Sequence, residues 1–174
     1  MVGMMGAGKT AVGGAVARVL GAPFLDSDDE IERASSMTIS EIFARDGEDF
    51  FRRKEEQVIA RLLAGPPCVL STGGGAFLSP RTRDAIGQHG VSVWLSAEPA
   101  LIWSRVRHKS HRPLLRTPDP RARIAALCRE RDPVYALADI TVPGDARHSV
   151  EETARRVVAA IAEMRPDAME DAGK

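Results

Sequence analysis

The chain reads as an α/β protein, a mostly parallel sheet covered by helices on both faces. Three observations predict this. Short apolar runs of strand length alternate with segments of helical period along the sequence. A glycine-rich loop, Gly3 to Thr10, opens directly into a helical pattern. An acidic cluster at Asp26–Asp28 and a "GGG" turn at Gly73–Gly75 each follow a predicted strand. Ligands of such sheets sit at the carboxyl ends of the strands. Loop, cluster and turn are therefore expected to meet in one cleft.

The elements follow in order. "VGGAVARVL" puts Val12, Ala15, Val16, Val19 and Leu20 on one helical face, and Gly21 and Pro23 end that helix. "FLD" is a short strand. Thr38 and Glu41 form a capping pattern ahead of Ile39, Ile42 and Phe43. "FFRRKEEQVIARLLAG" is helical, with Val58, Ile59, Leu62 and Leu63 inward. "CVLSTGGGA" is a buried strand running into a turn. "PRTRDAIGQHG" reads as helix, "VSVWLS" as strand, "PALIWSRVR" as helix. "HKSHRPLLRTPDP" carries three prolines and reads as a mobile surface loop. "RARIAALCRERDPVY" is helical up to Pro133, and "ADITV" is the last strand. A Ser-x-x-Glu cap at Ser149 opens a final helix with Val150, Ala154, Val157, Val158 and Ile161 inward. Only Met1 and Val2 precede Gly3. A central strand of two residues would be under-built, so either the first strand is shortened or the start lies upstream.

Totals bound the function. The 174 residues suit one compact domain with a sizeable core. The 24 basic and 24 acidic residues cancel, which argues against a dedicated nucleic-acid binder. Cys68 and Cys128 make no disulfide framework and read as small core hydrophobes. No apolar run approaches a membrane span and no signal peptide is visible, so a cytoplasmic protein is expected.

Gly3-x-x-x-x-Gly8-Lys9-Thr10 matches the P-loop pattern. Glycines let backbone N–H groups turn inward onto phosphate oxygens, and the following helix adds its positive end. Lys9 is suited to the β- and γ-phosphates and the Thr10 hydroxyl to Mg²⁺. The guanine-reading Asn-Lys-x-Asp pattern is absent and no second domain is present to be moved, which leaves a small-molecule kinase. Such an enzyme needs a carboxylate near the accepting hydroxyl. Asp26 and Asp28 are expected to face the same way at a strand end, one serving the metal and the other the hydroxyl. Most such Asp pairs only cap a helix. Arg52 and Arg53 point about 100° apart on a helix, so one can enter the cleft. Arg131, near a helix end, is a second candidate for holding a carboxylate.

Six stretches in order carry a resemblance over nearly the whole chain: "GMMGAGKT", "DSD", "FRRKEE", "STGGGA", "RPLL" and "RDPVY". The sequence resembles the shikimate kinase family. That resemblance implies a three-layer P-loop kinase fold with a five-stranded parallel sheet in the order 2-3-1-4-5. It implies a single domain over residues 1–165, a substrate-binding insertion at about 29–64, a lid at about 108–118, and a disordered tail at 166–174. It implies transfer of a phosphoryl group from ATP to the 3-hydroxyl of shikimate, with Mg²⁺, by a monomer. Lys9, Asp28 and Arg112 become the catalytic residues, with Asp28 the base and Arg112 the lid arginine on the phosphates. Gly6, Ala7, Gly8, Lys9, Thr10 and Ala11 would hold the nucleotide, with Arg105, Arg112 and Arg147. Thr10 and Asp26 would serve Mg²⁺. Asp28, Arg52, Gly74, Gly75 and Arg131 would hold shikimate, Glu55 orienting Arg52. "RHS" at Arg147–Ser149 departs from the family by lacking a proline. Another small-molecule kinase of this architecture, such as a gluconate kinase, and a non-catalytic ATP-binding module are the alternatives.

Overall fold

The computed structural model describes residues 1–108 and 117–166. Arg112, most of the segment read as a lid, and nearly all of the tail lie outside the described residues. In chain order the elements are α1 (Lys9–Leu20), β1 (Phe24–Asp26), α2 (Ser27–Ser35), α3 (Ile39–Asp46), α4 (Glu48–Leu63) and β2 (Val69–Ser71). A 3₁₀ turn at Ala76–Leu78 leads to α5 (Pro80–His89), β3 (Val93–Ser96), α6 (Pro99–Val106), α7 (Pro120–Tyr135), β4 (Ile140–Pro143) and α8 (Val150–Met164).

The strands pair in two parallel couples. β1 runs beside β2 with Phe24 opposite Val69, and β3 beside β4 with Val93 opposite Ile140. The first two residues lie between the couples. The Met1 amino group donates to the Leu70 carbonyl at 2.6 Å, and Thr72 N–H donates to the Met1 carbonyl at 3.1 Å. On the other side Val2 N–H donates to the Val93 carbonyl at 2.9 Å, and Leu95 N–H to the Val2 carbonyl at 3.1 Å. The regular pairing here is one isolated parallel bridge, Val2 with Trp94.

Alternation along β3 sorts the core into two layers. Val93 and Leu95 pack with Val12, Val16, Ala154 and Val157 of α1 and α8. Trp94 packs against a cluster that includes Ile86, Ile102, Leu127 and Tyr135, from α5, α6 and α7. Helices thus cover both faces. A satellite cluster of Ile31, Ile42 and Phe51 unites α2, α3 and α4.

Local chemistry sets the helix ends. Thr38 and Glu41 form a reciprocal capping box, as do Ser149 and Glu152. Two apolar positions differ from expectation: Val19 is 57% exposed and Val150 is 37% exposed. Both sit in terminal turns. Periodicity fixes an angle around the helix, not where along the axis the neighbouring layer stops. α7 also continues past Pro133 to Tyr135. Proline removes one N–H, a loss of one helical bond, while the last turn carries Tyr135 to full burial.

Candidate active site

The cleft forms where the four strands end. A cavity of about 520 Å³ is lined by residues 5–12, by Asp26 and Asp28 after β1, and by residues 71–74 after β2. Leu95 of β3 and Gly144, His148 and Ser149 after β4 close it. The glycine loop, acidic cluster and "GGG" turn therefore do meet.

The loop end is locally built. Gly8 has φ 105, a left-handed conformation that a side chain disfavours, and it sits at the N-terminus of α1. Lys9 is 8% exposed, and its ammonium donates to the carbonyls of Gly3 at 2.8 Å and Met4 at 3.0 Å. It thus lies within the curl of the loop. Thr10 donates its hydroxyl to Asp26 Oδ2 at 3.0 Å. Asp26 Oδ1 accepts from the Asp28 N–H at 3.0 Å, capping α2. Asp26 is thus a cap and a partner of Thr10 at once. Asp28 belongs to the first turn of α2, not to a strand end. The two carboxylates come together through a helix cap rather than through strand alternation, which corrects the sequence argument but keeps the pair.

Beyond Asp28 the groups come from distant segments, and Arg52, Glu55, Gly75 and Arg131 do not themselves line the cavity. Asp28 Oδ1 is buried without a hydrogen-bond partner among the described residues. Burial, reinforced by the Asp26 and Glu55 charges, pushes its carboxyl up to about 6. Glu55 is 2% exposed; its Oε2 accepts from Arg52 Nη1 at 2.7 Å, while Oε1 is buried without a partner among the described residues. Desolvation raises the Glu55 pKa, against the pull of Arg52. Arg53 is exposed, so Arg52 is the inward arginine of the pair. A side chain in the turn between these groups would have to displace them. A Cβ on Gly73 would stand 2.7 Å from both Asp28 Oδ1 and Glu55 Oε1, and one on Gly75 would stand 2.6 Å from Arg52 Cζ. Arg131 is 9% exposed and its Nε is buried without a partner among the described residues.

Among the nucleotide candidates, Arg105 lines the cavity and donates from Nη1 to the Ala7 carbonyl at 2.8 Å. Arg147 is turned outward, 87% exposed, with Nη2 on Asp145 Oδ2 at 2.6 Å. It does not line the cavity, whereas His148 and Ser149 do. Sequence reasoning passed over Ser27 as well. That residue is fully buried, and its Oγ accepts from Gly73 N–H at 3.0 Å, tying the glycine turn to α2. Its place inside "DSD" was the available signal. His148 gave none.

A phosphate loop beside a buried, elevated carboxylate in an α/β fold defines a P-loop phosphotransferase. The comparisons narrow the class. The profile of the shikimate kinase family matches residues 5–162. A shikimate kinase of Cereibacter sphaeroides is 63% identical over 98% of this chain and 84% of that relative. One of Ruegeria pomeroyi is 61% identical over 98% and 87%. The structure of a shikimate kinase from Acinetobacter baumannii in complex with shikimate aligns at TM-score 0.88 with 37% identity, over 94% of this chain and 92% of that one. The chain belongs to the shikimate kinase family. A gluconokinase from Sinorhizobium meliloti, at 20% identity and TM-score 0.63 over 95% of this chain and 91% of that one, shares the fold.

Proposed function

We propose that this family member transfers the γ-phosphoryl group of ATP to the 3-hydroxyl of shikimate, giving shikimate 3-phosphate and ADP. The observation that carries the reading is Asp28. Asp28 lines the same cavity as the P-loop, and its buried Oδ1 has no hydrogen-bond partner among the described residues. A carboxylate with a pKa near 6 is ionised at neutral pH and basic enough to take the hydroxyl proton. The alkoxide oxygen so formed attacks the γ-phosphorus, and the bond to the β-phosphate oxygen breaks. Loop amides and Lys9 hold the phosphates and meet the charge that develops there. Arg52 and Arg131 hold the shikimate carboxylate, with Glu55 fixing Arg52, and Gly74 and Gly75 lie against the ring substituents. Arg105 contacts the nucleotide, and Arg112 and Arg147 are proposed to join it there.

Thr10 and Asp26 supply hard oxygen donors 3.0 Å apart, a set suited to Mg²⁺. Mg²⁺ held by them would neutralise phosphate charge. The same reading includes a five-stranded sheet in the order 2-3-1-4-5, with Met1 and Val2 as its short centre. The hydrogen bonds of those residues to both strand couples support that order. It also includes a substrate-binding insertion at about 29–64, a lid at about 108–118, and a cytoplasmic monomer drawing on cellular ATP.

A coupled assay of ADP release tests the reading, with shikimate, gluconate and no acceptor, each with and without Mg²⁺. Release that requires both shikimate and Mg²⁺ is expected. Equal release with gluconate would favour a broader kinase, and binding of ATP without turnover on any acceptor a regulatory module.

A further inference from the structure

One residue of the "RDPVY" stretch has no part in the chemistry described so far. Tyr135 ends α7 and is fully buried. Its ring lies 6.0 Å from that of Trp94, centroid to centroid. Its hydroxyl donates to the carbonyl of Gly74. Burial raises its pKa to about 12, so the donated proton stays in place at any working pH.

Gly74 lines the cleft, and its other neighbour is the phosphate loop. A Cβ there would lie 3.4 Å from the backbone nitrogen of Met5. The Gly74 peptide is therefore gripped between loop and tyrosine. Arg131 precedes Tyr135 by four residues, one turn of the same helix, and shares its face. The Arg131 charge acts directly on the Tyr135 hydroxyl.

We propose that Tyr135 is a positioning residue: its hydroxyl fixes the Gly74 peptide against the phosphate loop and so sets the glycine turn in register with Arg131 for the acceptor. A carbonyl with one fixed donor cannot rotate its peptide plane without leaving a part-buried acceptor without that donor. The plane of that peptide also orients the N–H of Gly75, beside Arg52. One O–H thus links the α7 arginine, the glycine turn and the phosphate loop. The substrate named in the test rests on the shikimate reading; the geometry does not.

Tyr135→Phe keeps the ring and its packing and removes only the hydroxyl. Two measurements on the full chain test the idea: steady-state kinetics in both substrates, and amide exchange at residues 73–75. The KM for shikimate should rise roughly tenfold. The KM for ATP should stay within about twofold, and exchange at Gly74 and Gly75 should quicken. A proportional rise in both KM values would mark a general loss of structure and overturn the proposal. A raised shikimate KM with unchanged exchange would put the hydroxyl on the substrate itself and overturn it too. So would quicker exchange with an unchanged shikimate KM, or no change in either. If the wild-type chain does not phosphorylate shikimate, the substrate reading fails; exchange at Gly74 and Gly75 then decides the positioning claim alone.

Discussion

The two ends of the cleft treat their polar groups in opposite ways. At the phosphate end the protein satisfies itself. Lys9 donates to two loop carbonyls, Thr10 to Asp26, and Asp26 accepts the N–H of Asp28. At the proposed acceptor end Asp28 Oδ1, and behind the cavity lining Glu55 Oε1 and Arg131 Nε, are buried with no partner among the described residues. Buried polar atoms without partners are costly, each by about 1–3 kcal/mol. That cost is tolerated where a ligand removes it. The difference teaches how the site can discriminate. A phosphate loop that closes on itself accepts any nucleotide triphosphate able to replace its internal bonds. The proposed acceptor pocket, with its orphaned donors and acceptors, would reject molecules that lack the matching hydroxyls and carboxylate.

Breaking the phosphate end should have the largest effect. Lys9→Ala is expected to lower kcat by about 10³-fold or more, since it removes charge from where it develops on the transferring group. Circular dichroism should show the fold intact. Near-normal turnover would take Lys9 out of the mechanism.

Asp28 sits where the two ends meet. Asp28→Asn keeps the size of the side chain and loses the base, so kcat should fall about 10²-fold. In the wild type the acid limb of kcat/KM should follow the carboxyl at about 6, activity being lost as pH falls through that value. An intact kcat with weaker ATP binding would move Asp28 to the metal side and reverse its role with Asp26.

The two proposed carboxylate-holding arginines, orphaned Arg131 and Glu55-paired Arg52, give a sharper test of the contrast. Arg131→Ala should raise the shikimate KM roughly 30-fold or more and leave ATP binding nearly unchanged. Arg52→Ala should do the same, and it also strands Glu55. A shikimate analogue without the carboxylate should bind the wild type poorly and lose little more on either substitution. Additive losses from analogue and mutation would show that the arginine acts elsewhere.

The smallest effect concerns stability. The Asp28 carboxyl ionises near 3.8 when unfolded and at about 6 when folded. Between those values the unfolded chain has released a proton that the folded one retains, so wild-type stability declines as pH rises. Asn does not titrate. Asp28→Asn should therefore gain stability over the wild type from pH 3.8 to 6 and hold that gain above it. Denaturant midpoints at pH 3.5 and 8 would check this. A gain of equal size at both would point to packing, not charge.

Legibility followed contiguity along the chain. The loop from Gly3 to Thr10 was readable because eight adjacent residues fix its curl, its lysine and the start of α1. The four strands and both capping boxes were readable for the same reason: period and cap are local. Where a stripe met a helix end, at Val19 and Val150, the pattern overreached, because nothing local states how far a neighbouring layer extends. The Asp pair was found by a wrong route. Strand alternation suggested it, and the cap of α2 makes it.

The sequence by itself determined that this protein binds a nucleoside triphosphate, since short-range steric and dipolar effects hold wherever that stretch is embedded. Only the tertiary structure decided which groups go without partners. Asp28, Glu55 and Gly73 become neighbours when α2, α4 and the turn after β2 pack, and Tyr135 reaches Gly74 across 61 residues of chain. Desolvation and orphaned hydrogen bonds belong to the packed interior, and no reading of adjacent residues contains them.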